Sequence, residues 1–357
     1  MLNILVTGAA GLIGGEVCAR LVSAGHRVFA LIHRAPDVFG NDGKLVALSA
    51  ALKGDVGAPW LGLAQPPKVD LVVHCAASLT FDAPYDELAA INVAGTRNVV
   101  AFASAQGAAL LHVSTAYVCG LRDGEIAEEA VGPETVFANG YERSKAAAEA
   151  VVRASGLVHC IARPAIVLGD SETGAIRKFD AMYQTFALLA RGLVREIPVA
   201  TGASLDFVPI DHVAGAIARL AARMDQANGA ICHLSSGAPL PVEHFAKAIA
   251  AYPQFHAPAL VPADQFCPES LPPVQRRVWR KVASAYASYF QRDPRFADAN
   301  ARHITRMAPP DTGVQWLHKL IGFAIAGGLL PQAAPSARRD TFPPAAAARQ
   351  RPTTSLS

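Results

Sequence analysis

Short apolar runs alternate with helical patterns along the first half of the chain. The runs are short and continuous, which is typical of strands buried on both faces of a parallel sheet. Strands separated by helices predict an α/β fold, a Rossmann-like doubly wound parallel sheet with helices on both sides. The predicted strands are 3–7, 27–32, a third leading to 52–56, 69–74, 108–114, 158–163 and 230–235. Helices are predicted from 12 to 21, from 91 to 105, and over 141–154, 213–223 and 241–251.

A glycine-rich turn follows the first predicted strand. Gly8, Gly11 and Gly14 are spaced G-x-x-G-x-x-G, and the helical pattern after them ends near Gly25. Glycines at such a turn let the backbone approach a pyrophosphate, while the helix N-terminus supplies N–H donors. Strand, glycine turn, helix and second strand in this order therefore predict a dinucleotide site. The residues expected at the turn are Thr7, Gly8, Gly11, Leu12, Ile13 and Gly14.

Arg34 follows the second predicted strand, where the adenosine ribose of a dinucleotide is expected. An acidic residue there would accept from the 2′-hydroxyl of NAD, whereas an arginine suits the 2′-phosphate of NADP. The sequence therefore predicts NADPH. Asp55, after the third strand, is placed to accept from the adenine amino group. Val56, next to Asp55, is a further predicted contact. Small residues after the fourth strand leave room for the dinucleotide, and they are Ala76, Ala77 and Ser78.

Composition narrows the classes of function. Hydrophobic residues make up 52% of the 357 residues and charged ones 17%, which allows a large core, and a net charge of +3 gives no reason to expect a nucleic acid partner. Six scattered cysteines without clustered histidines predict neither a disulfide framework nor a metal site. No basic signal region precedes the first strand. The apolar run near 317–330 is too short for a transmembrane segment, so a cytoplasmic protein is expected.

Tyr141 and Lys145 lie four residues apart in the pattern over 141–154. That spacing places the phenol and the ammonium on one helix face, where the lysine charge favours the phenolate and suits acid–base catalysis. Alone the pair is weak, because the same spacing is common on surface helices. The glycine turn and the strand order around it make it a candidate catalytic pair.

Together these features resemble an extended short-chain dehydrogenase/reductase, with six motifs in family order over the first 165 residues. They are Gly8-x-x-Gly11-x-x-Gly14, Gly54-Asp55, Asn92-Val93-x-Gly95-Thr96, Ser114-Thr115, Tyr141-x-x-x-Lys145 and Arg163-Pro164. Within that superfamily the chain is more similar to thioester reductases and fatty acyl-CoA reductases. The stretches that carry this similarity include His74-Cys75-Ala76-Ala77-Ser78, Gly169-Asp170-Ser171-x-Thr173-Gly174 and Asp206-Phe207-Val208-Pro209.

The resemblance implies hydride transfer at a nicotinamide, with Tyr141 as proton donor and Lys145 holding the ribose and lowering the tyrosine pKa. Counting five residues back from Gly120 gives Thr115, and not Ser114, as the hydroxyl that polarises the substrate carbonyl. The implied substrate is a small-molecule acyl thioester, carried by coenzyme A or by a carrier protein, which is reduced to an aldehyde or on to an alcohol. A homodimer stays open. Further implied cofactor contacts are Asn92, Tyr141, Lys145, Pro164 and Ile166.

The resemblance also divides the chain. An NADP-binding domain is expected over 1–165, with a return segment at about 204–235. A smaller, mostly helical C-terminal substrate-binding lobe is expected over 166–203 and 236–330. The tail 331–357 is rich in Pro, Ala and Arg with few large apolar residues, which predicts disorder.

Within the expected lobe, the apolar helical pattern over 179–193 indicates either one wall of an acyl tunnel or a helix packed on the lobe's own core. The flanking cations could meet phosphates of coenzyme A or a pantetheine arm, or be only solvated. They are Arg177, Lys178, Arg191 and Arg195. The proline-rich stretch 253–273 is a candidate boundary loop. The pattern over 274–289 predicts one basic amphipathic helix, interpreted first as a cap over the substrate mouth and second as a partner or membrane-surface contact.

Three functions stay open. The first is NADPH-dependent reduction of an acyl thioester. The second is an extended reductase of a hydroxysteroid-like or flavonoid-like ketone, or a sugar-nucleotide epimerase; epimerases usually retain NAD, so Arg34 argues against the latter. The third is a non-catalytic NADP-binding sensor, a class that commonly loses the tyrosine or the lysine that this chain keeps.

Overall fold

Seven parallel strands form the central sheet of the protein. The computed structural model describes residues 1–333, apart from the side chains of residue 181 and residues 282–285. The strands are β1 (Asn3–Thr7), β2 (Arg27–Ile32), β3 (Ala50–Lys53), β4 (Leu71–His74), β5 (Ala109–Val113), β6 (Gly124–Ile126), β7 (His159–Pro164), β8 (Ile166–Leu168), β9 (Glu196–Val199), β10 (Ser204–Leu205), β11 (Phe207–Pro209), β12 (Ile231–Leu234), β13 (Leu240–Pro241), β14 (Ala259–Pro262) and β15 (Pro294–Phe296). The sheet has the order β12-β7-β5-β4-β1-β2-β3, which confirms the Rossmann-like prediction.

Helices cover both faces of this sheet. They are α1 (Leu12–Ser23), α2 (Tyr85–Asn92), α3 (Ala94–Gln106), α4 (Gly140–Arg153), α5 (Ala181–Ala190), α6 (Ile210–Ala221), α7 (Val242–Ala250), α8 (Pro273–Val278), α9 (Ser284–Ala287), α10 (Ala299–Thr305) and α11 (Val314–Ala326). The helix expected from 91 to 105 is two helices that meet at Val93. Among residues 1–333, none of the helices has the length and apolar character needed to cross a bilayer.

The unbroken apolar strands follow from burial on two sides. Successive residues of a strand face opposite ways, so each face needs its own apolar set. Ile4 and Val6 join the core that includes α1 and α6, whereas Leu5 between them joins the core that includes Phe102 of α3. Because the sheet is all parallel, the carboxyl ends of its strands lie at one edge, where ligands bind in such folds.

The remaining chain is tied to this sheet by short strand pairs. β12 extends the sheet beside β7, so the segment near 204–235 returns to it. β8 pairs with β11, β10 with β13 and β15 with β6, each joining the expected lobe segments to the NADP-binding domain or its return segment. Beyond residue 333, the predicted disordered tail falls outside the described residues.

Two predictions for the second half are wrong. The stretch 253–273 is not all loop, because β14 pairs with β9. The single helix over 274–289 is broken into α8, a π-helical turn at Trp279–Ala283, α9 and a 3₁₀ turn at Ser288–Gln291. A π-turn changes the direction in which the following side chains point. Here Trp279, Tyr289 and Phe290 all become buried, and burial of these rings outweighs a continuous helix.

Candidate active site

The glycine turn lies between β1 and α1, at the carboxyl edge of the sheet. Gly8 has φ +66°, and a Cβ on it would lie 2.6 Å from the Ala76 nitrogen, while a Cβ on Gly14 would lie 2.2 Å from the Gly8 oxygen. Only glycine fits both positions. Helix α1 begins after Gly11, and none of the described side chains caps its first N–H groups. The turn therefore fits a pyrophosphate by both shape and polarity.

Other predicted cofactor residues follow the strand ends at the same edge. Arg34 is exposed after β2, and exposed Asp55 accepts at 2.8 Å from the Gly57 N–H. Thr7 is fully buried, and its hydroxyl lies 2.7 Å from His74 Nδ1 and accepts from the Ala76 N–H at 3.3 Å, so this side chain joins β1 to β4 and to the loop after β4. Pro164 is buried. The half-buried candidates are Leu12, Ile13, Val56, Ala76, Ala77, Ser78 and Ile166.

Asn92 holds the loop after β4 against α4. Its Oδ1 accepts from the Ser78 N–H at 2.7 Å, and its Nδ2 donates to Ser144 Oγ at 2.9 Å. The Ser144 hydroxyl donates in turn to the Tyr141 carbonyl at 2.8 Å. Because its amide group is engaged in these bonds and Asn92 is buried, the side chain holds the loop after β4 and helix α4 together.

Tyr141 and Lys145 share a buried face of α4, as their spacing predicts. Helix α4 begins after Asn139, whose Oδ1 accepts from the Glu142 N–H at 2.9 Å. Lys145 Nζ donates to the Val113 carbonyl at 2.8 Å, and burial lowers the pKa of this lysine to about 8. The lowered tyrosine pKa that we expected is not found. Burial, followed by the Glu142 charge, raises the pKa of Tyr141 and keeps the phenol protonated.

Two buried histidines beside Lys145 were missed by the sequence reasoning. His74 and His112 are register partners on β4 and β5, their ring centroids are 5.1 Å apart, and His112 Nε2 lies 3.4 Å from Lys145 Nζ. Burial, followed by the lysine charge, lowers the pKa of His74 to about 3 and that of His112 well below its usual value. Both rings are therefore neutral near pH 7, so the lysine ammonium meets no second cation. In the sequence, the only signal for these two histidines was that each lies near the end of its predicted strand.

Two hydroxyls follow β5. The Thr115 hydroxyl oxygen accepts from the Tyr117 N–H at 3.3 Å, which leaves its own proton free to be donated. Ser114 Oγ is buried, and it has no hydrogen-bond partner among the described residues. Thr115 caps the 3₁₀ turn Ala116–Cys119, so the loop geometry fixes its position at the strand end. The choice of Thr115 over Ser114 stays a prediction.

Aromatic rings from two distant segments pack in a chain next to Tyr141. The ring of Phe81, in the loop after β4, lies 4.8 Å from that of Tyr141, and Tyr286 of α9 lies 5.4 Å from Phe81. Rings at such distances pack favourably and exclude water. Tyr286 of the broken helix is therefore connected through the Phe81 ring to Tyr141, the tyrosine that the sequence identifies as catalytic.

Buried ion pairs hold α4 on both sides of the segment that carries Tyr141 and Lys145. Arg292 Nη2 lies 2.9 Å from Glu142 Oε1, next to Tyr141, and Arg292 also donates to the Gly120 carbonyl at 2.7 Å. Arg163, from the Arg-Pro motif, binds both oxygens of Glu149 at 2.9 and 2.7 Å. The bidentate contact packs the helix on β7. Neither pair was predicted from the sequence.

Helix α5 packs on the core of the protein. Met182, Phe186 and Leu189 are buried there, which favours the core-packed alternative for this helix. The flanking cations behave differently from one another. Arg191 donates to the Leu329 carbonyl and Arg195 to the Gly192 carbonyl, whereas Arg177 reaches the glycine turn.

Comparisons with known proteins bear on this arrangement. The model of the male sterility protein family matches residues 6–217. A linear gramicidin synthase from Brevibacillus parabrevis is 34% identical over 185 residues, which cover 47% of this chain and 4% of that protein. L-2-aminoadipate reductase of Saccharomyces cerevisiae is 25% identical over 258 residues, which cover 60% of this chain and 18% of that protein. The chain thus matches only a small part of either relative.

Among solved structures, the terminal R domain from the myxalamid PKS-NRPS biosynthetic pathway matches with a TM-score of 0.77 at 23% identity. The alignment covers 92% of this chain and 91% of that one. At this identity the likeness supports the fold, which extends well beyond the first 165 residues.

Proposed function

Because the chain belongs to the male sterility protein family, and is thereby confirmed as an extended short-chain dehydrogenase/reductase of the thioester reductase group, we propose that it reduces an acyl thioester to an aldehyde with NADPH. The observation that carries the proposal is the placement of Tyr141, Lys145 and Thr115 at the sheet edge that also holds the glycine turn. The names of the two relatives, a gramicidin synthase and an aminoadipate reductase, support an acyl substrate.

The side chains suit the charge that develops during such a reduction. NADPH, when bound, supplies the hydride that the thioester carbonyl carbon gains. Thr115 and Tyr141 donate hydrogen bonds to the carbonyl oxygen as it becomes negative, and such preorganised donors stabilise the transition state. Tyr141 then passes its proton to that oxygen, and the hemithioacetal collapses to an aldehyde and a free thiol. The Lys145 ammonium favours the phenolate that remains.

A cysteine acyl-enzyme is not required by this scheme. Burial raises the pKa of Cys75 to about 12 and that of Cys119 to about 11, and both thiols lie near the ends of β4 and β5. A thiol with such a pKa is almost entirely protonated near neutrality and is a poor nucleophile. Direct reduction of the thioester therefore suits the site better than covalent catalysis.

The proposal is tested by NADPH consumption with a panel of acyl-CoA and acyl-carrier-protein thioesters, with product identification by mass spectrometry. We expect aldehyde, or the alcohol formed from it, together with one free thiol for each thioester consumed. Turnover of a free ketone or a sugar nucleotide, with none for thioesters of any chain length, would contradict the proposal.

The preference for NADPH depends on Arg34. Replacing Arg34 with Gln is expected to raise the KM for NADPH roughly 10- to 100-fold, since a charge-assisted contact to the 2′-phosphate is lost, with little change for NADH. Arg27→Gln at the other end of β2 is the matched control. Equal effects of Arg34→Gln on both cofactors would place the 2′-phosphate elsewhere.

A further inference from the structure

Arg177 lies where the segment after β8 meets the glycine turn. Its Nη2 donates to the Gly11 carbonyl at 2.9 Å and to the Ala10 carbonyl at 3.3 Å. Its Nε is buried, and no acceptor for it is found among the described residues. Within residues 1–333, none of the ion pairs involves this guanidinium. A half-buried cation that meets only carbonyl oxygens retains an uncompensated charge, and this suits an anionic ligand.

The turn that carries Arg177 is held from several sides. The Asp170 carboxylate accepts from the backbone N–H groups of the turn that it opens, and the Asp170 carbonyl accepts from Trp316 Nε1 at 3.0 Å. Asn41 binds the next residues twice, since its Oδ1 accepts from the Arg177 N–H at 3.0 Å and its Nδ2 donates to the Ala175 carbonyl at 2.9 Å. The guanidinium is therefore preorganised, which lowers the entropy cost of binding a ligand.

The same contacts join Arg177 to the helix of the glycine turn. The Asn41 N–H donates to Glu16 Oε2 at 2.7 Å, and Glu16 lies on α1. β1 and β2 are neighbours with Thr7 opposite Leu31, so the turn after β1 and Arg34 after β2 emerge from adjacent strand ends. Arg177 thus approaches, from a segment far along the chain, the end of the sheet where the phosphates of a dinucleotide are expected.

We propose that Arg177 binds a phosphate of the dinucleotide, and not a phosphate of coenzyme A or of a pantetheine arm. The phosphate is either the 2′-phosphate or the pyrophosphate, both of which are dianionic groups that a guanidinium recognises. The proposal rests on the proposed function only in requiring a nicotinamide dinucleotide. It assigns a role to the Gly169–Gly174 motif, which holds the turn that delivers Arg177 to the cofactor.

Isothermal titration of the full chain with NADP⁺ and, separately, NAD⁺ tests this without relying on turnover. The variant is Arg177→Gln, and the matched control is Arg191→Gln, which removes an arginine that also donates to a carbonyl but lies away from the glycine turn. For Arg177→Gln we expect Kd for NADP⁺ to rise roughly 10- to 100-fold, the range for a charge-assisted phosphate contact. The KM for the acyl thioester should stay within about twofold, since no thioester contact is removed.

The two ligands separate the two phosphates. A rise in Kd for NADP⁺ alone assigns Arg177 to the 2′-phosphate. An equal rise in Kd for NADP⁺ and NAD⁺ assigns it to the pyrophosphate. Unchanged affinity for both ligands, or a raised thioester KM alone, overturns the proposal while the proposed function stands. Wild-type protein that binds neither dinucleotide would overturn the proposed function itself. Arg177→Lys, which keeps the charge, should recover part of the affinity and serves if the Gln variant does not fold.

Discussion

Replacing Tyr141 with Phe is expected to lower kcat for thioester reduction by roughly 10²- to 10⁴-fold, the usual contribution of a positioned general acid. The phenol is buried on α4, and its raised pKa keeps it protonated, so the hydroxyl is the proton source that the substitution removes. The ring remains, and so does its 4.8 Å contact with Phe81. Stability should therefore change little, and rapid-quench measurement of aldehyde formation would report the chemical step.

The matched control is Tyr252→Phe, which removes the same hydroxyl from a half-buried tyrosine after α7, where it lies 3.1 Å from His318 Nδ1. We expect that variant to keep full turnover. Dinucleotide affinity should be unchanged in Tyr252→Phe. Equal kcat in the wild type and Tyr141→Phe would remove the tyrosine from the chemistry. Absence of turnover in both proteins, with a biological effect that persists without the phenol, would favour a dinucleotide sensor.

The sheet was predictable because its signals are local. Ile4, Leu5 and Val6 form an unbroken run only because both faces of β1 are covered, and the run itself shows this. Gly8 and Gly14 mark a turn where a Cβ cannot fit, so their spacing carries structural information. The parallel direction of the strands follows from the same alternation of strands and helices. Such features need no knowledge of distant segments.

The site was only partly predictable, because its support comes from distant segments. Tyr141 and Lys145 were recognisable by spacing, but the Val113 carbonyl that Lys145 meets depends on how α4 packs on β5. The broken helix after Pro273 was predicted as one helix, since local propensity does not register the burial of Tyr289. Arg177 was left open between a coenzyme A or pantetheine phosphate and solvent, because its contact with the glycine turn spans 166 residues.

The ion pair between Glu142 and Arg292 is expected to be costly to break. Replacing Arg292 with Met should lower the free energy of unfolding by about 3–5 kcal/mol, because Glu142 is fully buried and would keep its charge without a partner. The guanidinium also lies 5.2 Å from the Tyr117 ring and 4.9 Å from the Tyr289 ring, so packing is lost as well. Urea denaturation followed by circular dichroism measures the change.

The control is Arg295→Met, which removes an arginine that is 70% exposed and paired with Asp293 at 2.9 Å. That loss should be below about 1 kcal/mol, because water screens the pair.

The deficit of Arg292→Met, meaning the loss in its free energy of unfolding relative to the wild type, should also depend on pH. Burial already raises the pKa of Glu142 above 4.5, and removing the cation raises it further. The folded state then binds a proton more tightly than the unfolded state, so its stability falls as pH rises through this window. The deficit should thus be largest near neutrality and shrink towards pH 4.5. A deficit equal to that of Arg295→Met, or one independent of pH, would show that Glu142 does not need Arg292.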